Sequence, residues 1–150
     1  MSDDIEAIKD ALEQWVEAMN ARRADILMTL FSDEVVFVQP PAGPFVGKMA
    51  VGRLYRAVFH AYDIREQLQY EDIRIIGTRA TARVTRHVQL TPRAGGEVVS
   101  LKETDALRFR READGAWKLV SRSPTALSPT ASPFASLARG SRGPSTSKSV

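Results

Sequence analysis

The chain has 150 residues, of which 43% are hydrophobic and 26% are charged, and these proportions are typical of one globular domain. The absence of cysteine excludes disulfides, thiolate chemistry and cysteine-ligated metals. All 18 acidic residues and 18 of the 21 lysines and arginines lie in residues 1–122, so this part carries no net charge. A neutral domain argues against nucleic acid as the main partner, since phosphate binding needs a concentrated basic patch.

The amino-terminal sequence, MSDDIEAIKD, is acidic and lacks the apolar core of a secretory signal. No apolar run approaches the ~20 residues that cross a bilayer. We therefore expect a cytoplasmic protein that has no membrane partner.

Composition divides the chain into a domain, residues 1–122, and a tail, residues 123–150. The tail contains eight serines and four prolines, no acidic residue, and no helical or strand periodicity. Such a segment has too little apolar surface to offset its conformational entropy, so we predict that it is disordered.

The pattern of residues 3–122 predicts three helices and five strands in the order α-α-β-α-β-β-β-β. Apolar residues at helical spacing indicate the helices, and alternating residues between turn signals indicate the strands. A change of alternation near Asp72 predicts a β-bulge in the second strand. The predicted helices cover residues 3–19, 25–31 and 48–60, and the predicted strands cover residues 33–39, 64–76, 80–90, 99–109 and 117–122.

The most informative segment is the strand from Val99 to Phe109, whose apolar face includes two acidic residues, Glu103 and Asp105. A buried carboxylate is costly unless it is paired, hydrogen-bonded or protonated, so this face is a candidate site. If Leu90 faces Val99 across the preceding hairpin, the two strands bury the same face. That register places Arg86 opposite Glu103 and predicts an inward ion pair between them.

The same register places Asp105 one step deeper, beside Val84, with no obvious cation opposite. We therefore expect a raised pKa for a dry Asp105. Its carboxyl group could act as an acid, as a base if ionised, or as a structural hydrogen-bonding partner of the backbone or of the Trp15 N–H. The Arg86–Glu103 pair could likewise set the local field of a site or only satisfy itself.

Several segments of residues 3–122 are landmarks: EAMNARRAD, LMTLFSDEVVFVQPPAG, Gly47 before the third helix, DALRFRREADGAW and KLVSR. With the order of elements, these segments resemble the NTF2-like superfamily and, within it, the SnoaL-like, ketosteroid-isomerase-like branch. The resemblance covers residues 3–122. It implies an α+β fold in which a curved antiparallel sheet wraps as a cone around the N-terminal helices. The open end of such a cone holds a mostly apolar pocket, and the resemblance also implies that the chain forms a homodimer through the convex face of the sheet.

The resemblance also assigns roles at three positions. The family's aspartate base falls at Gln39, and an amide cannot abstract a proton. The family's tyrosine on the first helix falls at Trp15, which lacks a phenolic donor. The family's neutral, hydrogen-donating aspartate falls at Asp105. Gln39 could therefore orient a substrate atom, or it could bond to the loop that follows it.

These patterns lead to one functional hypothesis and one alternative. The hypothesis is an acid–base enzyme (isomerase, cyclase, hydratase or hydrolase) that acts on a hydrophobic small molecule without a cofactor or metal. The alternative is a non-catalytic ligand-binding or homodimeric association domain whose acids are structural. The predicted catalytic residues are Asp105, Gln39, Glu103 and Arg86, and the predicted substrate-binding residues are Trp15, Met19, Phe31, Phe37, Phe45, Tyr55, Phe59 and Trp117.

Overall fold

The computed structural model describes residues 2–38 and 42–125, and its elements confirm the predicted α+β class. It adds one short strand, β2, that the sequence did not predict. In chain order the elements are α1 (Ser2–Ala21), α2 (Ala24–Met28), β1 (Phe31–Phe37), β2 (Phe45–Val46), α3 (Lys48–Ala61), β3 (Tyr62–Ile76), β4 (Arg79–Pro92), β5 (Val99–Arg111) and β6 (Trp117–Pro124).

The six strands form one curved, unclosed sheet in the order β2-β1-β6-β5-β4-β3. Four of its ladders are antiparallel, but β1 runs parallel to β6, so the sheet is not wholly antiparallel as predicted. The helices α1 and α3 pack against this sheet, and the apolar stripe of α1 is buried at Ile8, Leu12 and Trp15. The hydrophobic core therefore lies in the hollow of the sheet, between the strands and these helices.

The second helix is shorter than predicted, because Phe31 belongs to β1 rather than to α2. Two tight turns end the helix, in which Thr29 N bonds to Ile26 O and Leu30 N bonds to Leu27 O. The Leu30 carbonyl then accepts a hydrogen bond from Leu119 of β6 at 2.8 Å. This long-range bond begins the strand, a tertiary effect that local periodicity does not contain.

The predicted register of the central hairpin is confirmed. Leu90 pairs with Val99, and Arg86 pairs with Glu103. The predicted bulge is also confirmed, since the register of β3 against β4 shifts between Tyr70 and Asp72. Because of this bulge, both halves of β3 turn their apolar side chains into the hollow.

The carboxyl end of the described chain extends past the predicted boundary at residue 122. The strand β6 continues to Pro124, and Thr125 N donates to Thr104 O at 2.8 Å. The rest of the tail lies outside the described residues, so its disorder remains a prediction. Within the described residues no helix is both long enough and apolar enough to cross a bilayer.

The side chain of Asn20 ties α1 to the edge strand β3. Its Nδ2 donates to Glu66 O at 3.2 Å, and its Oδ1 accepts from Glu66 N at 2.6 Å. We expect Asn20→Ala to lower the free energy of unfolding by about 1–2 kcal/mol, because both bonds are lost at a strand edge. Urea denaturation measures the loss. The matched control Gln14→Ala, at an exposed position of the same helix, is expected to change stability by less than ~0.5 kcal/mol.

Candidate functional site

Five charged side chains meet in the hollow of the sheet, and we call them the buried charge network. They are Glu66 on β3, Arg86 on β4, Glu103 and Asp105 on β5, and Arg122 on β6. Four of these side chains are at most 1% exposed, while Glu103 is 17% exposed. The network is therefore buried, and Glu103 is its member nearest to solvent.

Arg86 lies at the centre of the network and contacts all three carboxylates. Its Nε and Nη2 each donate to one oxygen of Glu66 at 3.1 Å, which is a bidentate pair. Its Nη1 donates to Glu103 Oε1 at 3.2 Å and to Asp105 Oδ2 at 3.3 Å. The predicted inward Arg86–Glu103 pair is thus present, but the strongest partner of Arg86 is Glu66.

Arg122 is the second cation of the network. Its Nε donates to Asp105 Oδ2 at 3.2 Å, and its Nη2 donates to Glu103 Oε1 at 3.3 Å. The guanidinium carbon lies 5.1 Å from the centre of the Phe37 ring. This cation–π contact adds to the favourable interactions of the buried guanidinium group.

Trp15 binds Glu66 and not Asp105. The indole Nε1 donates to Glu66 Oε2 at 2.8 Å, and the guanidinium carbon of Arg86 lies 5.9 Å from the Trp15 ring centre. One of the roles left open for Asp105, acceptance of the Trp15 N–H, is therefore wrong. Trp15 instead fixes the position of Glu66, which in turn orients Arg86.

The expectation of a raised pKa for Asp105 is also wrong. Burial raises the pKa of this carboxyl, but the guanidinium groups of Arg122 and Arg86 outweigh it, and the pKa lies below its ordinary value. Both cations also donate hydrogen bonds to Asp105 Oδ2. Asp105 is consequently a carboxylate at neutral pH, unlike the neutral aspartate that the family resemblance implies.

The lowered pKa of Asp105 couples stability to pH. A carboxyl with a depressed folded-state pKa stabilises the fold above its unfolded-state pKa of ~3.9, and this contribution is lost as pH falls through the folded-state pKa. We therefore expect the stability difference between the wild-type chain and Asp105→Asn to be constant above about pH 5 and to shrink at lower pH. Urea denaturation of both chains between pH 7 and the acid limit of folding measures it. A difference that grows on acidification would contradict the lowered pKa.

Glu66 and Arg122 were not among the site residues predicted from the sequence, for two different reasons. Glu66 lies between Ile64 and Leu68 on the inward face of β3, so the alternation that identified Glu103 could have identified it. Arg122 could not be found in this way. A register shift leaves Val120 without a partner on β5, and this bulge turns Arg122 inward.

Tyr55 of α3 adds a polar group beside the network. The residue is 1% exposed, and no hydrogen-bond partner of its hydroxyl is found within the described residues. Burial raises the Tyr55 pKa to about 12, and the charges of Arg122, Arg86, Glu66 and Asp105 act on it. The hydroxyl thus lies within electrostatic reach of the network and stays protonated. Asp105 Oδ1 likewise has no hydrogen-bond partner within residues 2–38 and 42–125.

Most of the predicted substrate-binding residues lie in one buried group. The rings of Trp15 and Phe37 stack with centres 6.1 Å apart, and Tyr55 contacts both edge-on at 5.8 Å. Phe31 and Phe59 join this aromatic cluster, and Met19 is buried in the same core.

Two of the predicted substrate-binding residues, Phe45 and Trp117, lie outside this aromatic cluster, and the predicted catalytic residue Gln39 cannot be placed. Phe45 is half-buried on β2. Trp117 begins β6, where its Nε1 donates to Asp4 at 3.4 Å, and the structure does not bring it to the network. Gln39 lies outside the described residues. No group of three or more potential metal ligands is found in the part of the chain that the structure describes.

The family model of the SnoaL-like domain matches residues 12–120. The chain belongs to the SnoaL-like family. A conserved protein from Planctomyces limnophilus is 30% identical to this SnoaL-like domain, with a TM-score of 0.78 over 83% of this chain and 99% of that chain. No curated protein matches it significantly.

More distant solved structures share the NTF2-like fold. A ketosteroid isomerase-like protein from Erwinia carotovora atroseptica is 18% identical, with a TM-score of 0.74 over 85% of this chain and 100% of that chain. A type 2 hexachlorocyclohexane dehydrochlorinase is 14% identical, with a TM-score of 0.72 over 87% of this chain and 93% of that chain. At these identities the likeness concerns the fold alone.

Proposed function

We propose that this SnoaL-like domain binds a small, mostly hydrophobic molecule in the hollow of its sheet and transfers a proton on it without a cofactor. The observation that carries this proposal is the pair of buried polar atoms without a partner among the described residues, Asp105 Oδ1 and Tyr55 Oη. Buried polar atoms are normally hydrogen-bonded, and each one left unpaired lowers stability. A ligand that supplies a donor to Asp105 and an acceptor to Tyr55 satisfies both.

The ionised state of Asp105 reverses the role that the family resemblance implies. A carboxylate accepts a proton, so Asp105 acts as the base, and the neutral Tyr55 hydroxyl donates to the substrate oxygen on which charge develops. Arg86 and Arg122 provide positive charge beside Asp105. Glu103, which is partly exposed, is the member of the network nearest to solvent.

The low pKa of Asp105 restricts the substrate class. A carboxylate with a depressed pKa is a weak base, so efficient transfer requires a carbon acid that is activated by an adjacent carbonyl or a comparable group. Abstraction at such a carbon leads either to isomerisation, when the proton is returned to a different carbon of the conjugated enolate, or to elimination of a neighbouring leaving group. The fold is shared with an isomerase-like protein and a dehydrochlorinase, whose names fall in these two classes.

The second candidate is a non-catalytic ligand-binding or association domain, and a specific observation favours it. Trp15 and Phe37 are buried and stacked on each other, so aromatic side chains occupy part of the hollow. In addition, the two arginines already pair with the three carboxylates, which is sufficient reason for the acids to be buried. In this candidate the network only maintains the fold.

Hydrogen–deuterium exchange of substrate C–H groups distinguishes the two candidates. Purified protein is incubated in D2O with cyclic ketones, a β,γ-unsaturated cyclic ketone and a β-hydroxyketone, and proton NMR follows loss of the α-proton signals. The enzyme candidate is expected to accelerate exchange for at least one ketone, and Asp105→Asn is expected to abolish the acceleration. The control Asp72→Asn, at an exposed position, should retain it. Saturable binding without exchange would contradict proton transfer and support the second candidate.

A further inference from the structure

A groove of about 410 Å³ lies between α1 and β3 and borders the buried charge network at Glu66. Its floor is apolar, its rim is acidic, and one of its walls is a strand at the edge of the sheet. The lining residues are Leu12, Glu13, Val16, Glu17, Glu66, Gln67, Leu68 and Tyr70.

The rim of this α1/β3 groove carries acidic side chains that form no ion pair with the rest of the described chain. Asp10, Glu13 and Glu17 are exposed and form no ion pair within residues 2–38 and 42–125. Glu13 and Tyr70 line the groove together, and the charges of Glu13 and Asp10 help to raise the pKa of Tyr70, after the effect of burial. The groove therefore favours a cationic occupant.

The strand wall of the groove has backbone groups that can bind a further strand. Both backbone polar groups of Glu66 point away from β4, because both bond to the Asn20 side chain. Backbone direction alternates along a strand, so the N–H and C=O of Leu68 point the same way, into the groove. Such an edge accepts an extended peptide by β-strand addition.

The chain itself contains a segment with the matching chemistry. Residues 126–150 contain three cations, Arg139, Arg142 and Lys148, and no acidic residue. The stretch 134–143, FASLARGSRG, is free of proline and places apolar Phe134 and Leu137 next to two of these arginines. A segment that is predicted from its composition to be disordered can order on binding.

The end of the described chain lies within reach of the groove. Thr125 bonds to Thr104, which faces Thr85 across the β5–β4 ladder, and Thr85 in turn faces Gln69 of β3. Thr125 therefore lies at the same position along the strand direction as the groove. It is three strand spacings from β3, which is about 14 Å across the sheet. The eight residues 126–133 span up to ~28 Å when extended. The connection is long enough for the segment to reach the groove of its own domain.

We propose that the α1/β3 groove binds residues 134–143 of the same chain as an added strand. Leu137 packs over Leu12 and Val16, and the arginines pair with the acidic rim. This interaction holds the basic tail beside the strand that carries Glu66, and it does not depend on whether the hollow is catalytic.

A spin label on the full-length chain tests the proposal. The chain has no cysteine, so Ala138→Cys gives one site for a nitroxide. We expect selective broadening of the backbone amide signals of residues 13–17 and 68–70, measured with isotope-labelled chain diluted in unlabelled, untagged chain. Glu13→Gln combined with Glu17→Gln is expected to weaken docking about fivefold, through the loss of two exposed ion pairs. The control Glu97→Gln, in the β4–β5 hairpin, should leave the broadening unchanged.

Three results would overturn the proposal. The first is the absence of broadening at the groove. The second is broadening of the same size in the Glu13→Gln/Glu17→Gln chain, which would show that the acidic rim does not select the segment. The third is broadening only when a spin-labelled chain is mixed with a separate isotope-labelled chain, which would identify the occupant as the segment of a second copy.

Discussion

Arg86→Met is expected to lower the free energy of unfolding by about 3–5 kcal/mol, which corresponds to a fall in Tm of roughly 10–20 °C. Arg86 is the only described residue that forms an ion pair with Glu66, and it is one of two that pair with Asp105. Both carboxylates are fully buried, so removal of the Arg86 guanidinium leaves buried negative charge without enough positive charge to balance it. Methionine approximates the length of the arginine stem, and the loss of charge is therefore the main change.

The matched control for this stability prediction is Arg83→Met on the same strand. Arg83 is exposed on the outer face of β4, and we expect its replacement to change stability by less than ~0.5 kcal/mol. Adding Glu66→Gln to Arg86→Met should recover part of the lost unfolding free energy, because it removes one of the buried charges that are left unpaired. Urea denaturation at pH 7 measures these three variants and the wild-type chain. A loss below ~1 kcal/mol for Arg86→Met would mean that the network does not maintain the fold.

Asp105→Asn is expected to lower the rate of substrate proton exchange by about 10²–10⁴-fold, because an amide cannot accept the proton. Tyr55→Phe is expected to lower the same rate by about 10²–10³-fold, because it removes one donor to the developing oxyanion. Both replacements keep the shape of the side chain, and exchange of an activated ketone in D2O, followed by NMR, measures both rates.

Folding must be controlled separately from activity in these variants. Phe59→Leu changes the aromatic cluster without removing a polar atom, so it serves as a control for packing. If Tyr55→Phe and Phe59→Leu reduce exchange equally, the Tyr55 hydroxyl has no chemical role. If Asp105→Asn retains the wild-type rate while circular dichroism shows an unchanged fold, Asp105 is not the base.

The hairpin of β4 and β5 was predictable from sequence because its two buried faces admit only one register. Leu90 pairs with Val99 and Arg86 pairs with Glu103, as the alternation requires. The bulge near Asp72 was predictable for the same reason, since it restores the burial of apolar residues after a change of alternation. In both cases the information lies within a few neighbouring residues.

The electrostatic state of Asp105 was not predictable, because it depends on a strand that is distant in sequence and irregular in register. The bulge at Val120 turns Arg122 toward Asp105, and a regular strand would have turned it outward. The sequence pattern assigned no cation to Asp105, so burial alone set the expected direction of its pKa shift. In the structure Arg122 and Arg86 both lower this pKa, and the expectation has the wrong sign. The parallel pairing of β1 with β6 is likewise a tertiary feature that the local pattern does not contain.

The ionisation of Asp105 is the central claim, because it decides whether this residue is a base or an acid. A carbon-13 NMR titration of the side-chain carboxyl groups, with Asp105→Asn to assign the signal, measures it directly. We expect the Asp105 carboxyl to titrate below ~3.9, the ordinary value for aspartate, and to be fully ionised at pH 6. A carboxyl that is still protonated at pH 6 would contradict the account.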